Sequence, residues 1–128
     1  MEDTPTIAAL ARSLDELAIA YYSTPPGLPD EDASDPPEPA LTYASIGARF
    51  PELGFYGVAS PAELTGSVML GDAIDDVLDI ARDLSEVIWR FENVGSDDAN
   101  WHFRLLFQCH WGVHLRDLAR YLHEKQFE

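Results

Sequence analysis

The apolar positions of this chain recur at helical spacing in three long stretches. In "TPTIAALARSLDELAIAYY", Ile7, Leu10, Ala11, Leu14, Leu17, Ala18 and Tyr21 fall on one stripe, and Arg12, Ser13 and Glu16 face away. Thr4 is placed to cap this helix, with Pro5 in its first turn. The second helix runs from about Asp72 to Asn93, with Ile74, Val77, Leu78, Ala81, Leu84, Ile88 and Phe91 as its core face. Asn93 and Gly95 mark its stop. Ser96, Asp97 and Asp98 open the third helix, which extends to about Glu124. Its apolar residues, from Trp101 and Phe103 through Trp111 and Val113 to Leu122, cover most of the circumference, as expected of a central helix. The short connection makes the second and third helices an antiparallel hairpin.

Between the first two helices the pattern changes. Residues 23–40 carry six of the nine prolines and five acids. Proline removes amide donors and the acids repel one another, which predicts a mobile or extended acidic loop serving as a plain connector. Leu41 to Phe50 reads as a short helix broken by Pro51. Phe50, Leu53, Phe55, Tyr56 and Val58 are too apolar for a free loop and are expected to lie across the helices as a lid. Ser60 to Glu63, "SPAE", has the form of a capping box and predicts a short turn of helix. The expected fold is all-α: a single domain over residues 1–128, a bundle of three long helices with the short helical or irregular segment 41–70 packed across it.

Composition narrows the function. A chain of 128 residues can bury a core of its own without a staple. One cysteine, Cys109, excludes an internal disulfide framework and paired-cysteine zinc motifs. The acidic start lacks the pattern of a signal peptide, and no apolar run is long enough to span a membrane. Both point to a cytoplasmic protein. The net charge is −15 and is unevenly spread. Residues 1–89 hold 17 acids against three arginines, whereas residues 90–128 are nearly neutral and hold all four histidines. Phosphate backbones repel such a chain, so the expected partner is a basic protein and not a nucleic acid.

Two features carry candidate chemistry. Asp72, Asp75, Asp76, Asp79, Asp83 and Glu86 share an arc of about 100° on the second helix. Of these, Asp75, Asp76, Asp79, Asp83 and Glu86 are expected to form an exposed partner-binding ridge. In "FQCHWGVHLRDLARYLH", His110 and His114 stand one helical turn apart, with Asp117 continuing that side. Two imidazoles and a carboxylate can chelate a transition metal. Trp111 follows His110, so the His-Glu-x-x-His motif is absent. The favoured expectation is two part-buried, hydrogen-bonded histidines, with no metal, no cofactor and no catalytic set. Cys109 points about 100° away from His110 and reads as a small hydrophobe rather than a nucleophile. Gly112 is expected to allow close approach of another helix beside a buried Trp111.

"GDAIDDVLDIARDLSEVIWRF" together with "ANWHFRLLFQCHWGVHLRDLARYLH" resembles the bacterial family known as domain of unknown function 5063. The likeness rests on the "DIARDL" segment and on the spacing of Trp101, Phe107, Trp111 and Gly112. It covers about residues 70–123 and implies a mostly helical bacterial domain, with no established activity to carry over. The expected function is that of a non-enzymatic binding protein whose acidic surface meets a basic partner, in the manner of an immunity protein. The alternative is a metal- or small-ligand-binding helical protein using His110, His114 and Asp117.

Overall fold

The computed structural model describes residues 6–128. Most of this length is helical. Helix α1 (Ile7–Ser23) and the short α2 (Tyr43–Arg49) are followed by strands β1 (Phe55–Val58) and β2 (Met69–Asp72). Then come α3 (Ala73–Asn93), α4 (Ser96–Leu106), a π-helical turn (Phe107–Trp111) and α5 (Gly112–Phe127). The helical run is unbroken from Ser96 to Phe127. Helix α1 packs on α5, while α3 packs on α4, α5 and the π turn, with α2 against α3. Among the described residues no helix is long and apolar enough to cross a membrane.

Leu14 and Ala18 of α1, Ile74, Leu78 and Ile80 of α3, and Trp111, Leu115, Leu118 and Leu122 of the last helix form one buried cluster. Trp111 is fully buried, against Phe103 and Phe107. The stripe on α3 departs from its expected course at one end. Ile88 and Phe91 are 57% and 62% exposed. They line a shallow apolar groove with Val87, Ala99 and Phe103, because α4 covers only one side of α3 there. Leu105 and Val113 are also exposed, so the last helix is apolar all round without being enclosed all round.

The Thr4 cap and Pro5 lie outside the described residues. The cap observed for α1 is Thr6, whose side chain accepts from Ala9 N at 3.0 Å. Residues 24–40 are extended, as their prolines require, and they are fastened. Leu28 N donates to Asp97 O at 3.1 Å, and Asp30 N donates to the Asp98 carboxylate at 2.9 Å. Gly27, at φ +65°, passes so close to α4 that a Cβ would lie 2.2 Å from Asp97 O. Arg104 reaches back to Thr24 O at 3.0 Å. The connector is thus a strap over the start of α4.

The 41–70 segment departs furthest from expectation. Its second half is a two-stranded antiparallel hairpin, pairing Phe55 with Asp72 and Val58 with Met69. "SPAE" closes only a turn, Glu63 N to Ser60 O at 3.1 Å, because no further residue there continues the ladder into a helix. Asp72 ends β2 and caps α3, accepting from Ile74 N at 3.0 Å and Asp75 N at 3.3 Å. The hairpin therefore feeds directly into α3 and fixes where that helix begins.

Candidate metal centre

Helices α3 and α5 run antiparallel, so early positions of one face late positions of the other. Asp76, Asp79 and Asp83, spaced three and four apart, lie on one side of α3. That side meets the π turn and the start of α5, where His110 and His114 stand. His110 Nδ1 donates to Asp83 Oδ2 at 2.5 Å, and His114 Nδ1 donates to Asp76 Oδ1 at 2.8 Å. The Nε2 of His114 is 3.4 Å from Asp79 Oδ2. The imidazoles meet edge-on with centroids 4.9 Å apart.

The π turn sits at this junction. Its wider i→i−5 bond, Gly112 N to Phe107 O, inserts one residue into the turn. A Cβ on Gly112 would lie 2.3 Å from Phe107 O and 3.0 Å from its ring, so only glycine fits. The nearest neighbour that a Cβ on Gly112 would meet is thus Phe107 in its own helix.

The expected exposed ridge on α3 does not exist as a unit. Asp76 is buried at 6% exposure, and Asp83 and Asp79 are largely enclosed by the histidines. Glu86 is half-buried and bound to Arg90 at 3.0 Å. Asp75 alone of the five is exposed. Burial raises the Asp76 carboxyl, opposed by hydrogen bonds from Tyr56 and His114. Burial likewise raises Asp83, opposed by His110. Burial also raises Asp75, reinforced by repulsion from Asp79 and Asp72.

A carboxylate only accepts, so each Nδ1 that bonds to one carries the proton. In a neutral ring Nε2 then keeps the lone pair. His110, His114 and Asp79 each offer one ligand atom, all within 4.8 Å of one another. A tetrahedral ion with bonds of about 2.0–2.2 Å holds its donors about 3.4 Å apart. The His114–Asp79 pair already has that separation. Nitrogen and oxygen donors in this ratio suit a divalent transition ion such as zinc. Asp117, the third ligand of the metal alternative read from sequence, is not in this donor group. It lines a cavity of about 320 Å³ with Tyr56, Arg120, Tyr121 and Glu124. Cys109 is exposed and outside the donor set.

A second charged cluster lies at the far end of α3. Asp98, 2% exposed, accepts from Arg90 at 3.2 Å and from Asp30 N, with His102 at 3.5 Å. Desolvation pushes its carboxyl up, but these partners outweigh it and hold the group below its usual range. This cluster has no converging lone pairs and serves to lock the strap.

Comparison with known protein families, with curated proteins and with solved structures finds no match to this chain.

Proposed function

We propose that the protein binds a divalent transition metal ion through His110, His114 and Asp79. The observation that supports this is the arrangement of the two imidazoles. Both are tied at Nδ1 to carboxylates of α3, Nε2 of His114 lies beside Asp79, and His110 offers a ligand atom within 4.8 Å of the other two. Carboxylate–histidine pairs of this kind orient metal ligands and raise their basicity. Three protein donors leave a tetrahedral ion one open position for water or an exchangeable ligand. The function is accordingly reversible binding of the ion and whatever completes its coordination. The burial of Asp76 and Asp83 against the histidines favours this reading over an α3 docking ridge toward a basic partner. Membership of the domain of unknown function 5063 family remains part of the proposal, carried by the C-terminal helices.

The test is titration of the purified protein with Co(II), read by visible absorption, and with Zn(II), read by calorimetry. Near-equimolar uptake is expected, abolished in a His110→Ala, His114→Ala double variant and preserved in Asp117→Ala. No uptake, or uptake indifferent to the double variant, would overturn the reading.

A further inference from the structure

The hairpin of β1 and β2 buries little of its own surface. Phe55, Met69 and Leu70 are exposed, and the inward positions of β1 are Tyr56 and Val58. Tyr56 is held with care. Its ring stacks on Tyr121, centroids 4.8 Å apart and planes 11° from parallel. The Tyr121 hydroxyl accepts from Gly54 N at 3.1 Å, and Gly54 O accepts from Ala73 N at 3.1 Å. The register sets Tyr56 opposite Gly71. A Cβ at that glycine would lie 2.7 Å from the Tyr56 Cζ, so the glycine keeps open the space the ring crosses. The ring thereby delivers its hydroxyl to the buried end of Asp76, donating to Oδ2, while Oδ1 accepts from His114 Nδ1.

We infer that Tyr56 is the positioning residue of the metal site, acting through Asp76 on His114. This rests on the metal reading above and adds to it the hairpin as the element that sets the site. One donor on each oxygen fixes the rotation of the Asp76 carboxylate. A fixed carboxylate holds the proton of His114 on Nδ1 and keeps Nε2 as a lone pair aimed at Asp79. Without the hydroxyl, Oδ2 is left buried without a donor, and the carboxylate is free to turn. His114 can then place its proton on Nε2, where it blocks a metal.

The test has two readouts. In the metal-free protein, at a pH where the imidazoles are neutral, nitrogen–proton correlation spectra should show His114 as the Nδ1–H tautomer. Tyr56→Phe should shift it toward a mixture of tautomers and weaken Co(II) binding by about tenfold or more, with circular dichroism unchanged. Gly71→Ala, which displaces the ring but keeps the hydroxyl, should produce the same tautomer shift, and decides the matter if Tyr56→Phe fails to fold. An unchanged tautomer and unchanged Co(II) affinity in these variants would overturn the inference while leaving the metal reading intact. A tautomer shift in a protein that takes up no Co(II) would sustain the positioning role and defeat the metal reading.

Discussion

His110 and Asp83 stand 27 positions apart in the chain and meet at 2.5 Å, with the ring nitrogen donating to a largely enclosed carboxylate. His114 and Asp76 repeat the arrangement one turn further along. Two such pairs along one helix contact hold both rings by the same nitrogen, Nδ1, and set Nε2 of His114 beside Asp79.

If the metal site forms as proposed, saturating ion must stabilise the fold by mass action. At 100-fold excess over Kd the gain is about 2.7 kcal/mol. Thermal unfolding with and without Zn(II) should show a rise in Tm in the native sequence. Asp79→Ala should show little rise, since it loses a ligand without touching either Nδ1 bond.

Removing a carboxylate behind a histidine acts on stability as well as on metal. Asp76→Ala leaves the Tyr56 hydroxyl and His114 Nδ1, both part-buried, without their acceptor. A cost of about 1–3 kcal/mol per orphaned group is expected in urea unfolding of the metal-free protein. A neutral substitution would mean that water reaches both groups and that Asp76 orients nothing.

Trp111 should be the most sensitive core position of the last helix. Trp111→Ala is expected to cost about 3–5 kcal/mol. Its indole N–H is buried with no hydrogen-bond partner, so Trp111→Phe should cost clearly less than truncation, since it removes that unsatisfied donor. Equal losses in the two variants would show that the N–H is satisfied after all.

Asp98 sets the acid limb of stability. Its folded carboxyl lies below the unfolded value of about 3.9. The native state therefore releases this proton more readily than the unfolded chain. The stabilisation is complete above the unfolded value and is lost as pH falls through the folded one. Asp98→Asn should flatten the fall in Tm across that acid window and should loosen the strap at Asp30. An acid limb that keeps its slope in the variant would assign it to other carboxyls.

The long helices were legible because their apolar spacing extends over many turns. The limits of that legibility are physical. Ile88 and Phe91 obey the periodicity of α3, but periodicity reports a face and not how far a neighbouring helix covers it. The strands have four residues each, too few for an alternation of two to stand out, and the glycine facing Tyr56 weakens the signal further. The candidate site was half visible. His110 and His114 stood out by spacing, and the acids of α3 stood out as a stripe. That the two belong together depends on the register of an antiparallel helix pair, in which Asp76 meets the later histidine and Asp83 the earlier. Nothing local in either helix encodes that register. Asp117 was chosen by proximity along its own helix, where the contact with α3 supplies Asp79 instead.

The π turn at Phe107–Trp111 gives the last helix two phases, one before it and one after. A single-residue deletion inside these five positions would restore ordinary α geometry and leave everything upstream nearly in phase with α5, because the wide turn already holds one residue more than an α turn does. Phe103 would then keep its place against Trp111, and Arg104 its reach to the strap. A single-residue deletion outside the turn would instead rotate one part of the helix by about 100° against the other and would be felt across the domain. The helix can absorb a change of count at this turn but not on either side of it.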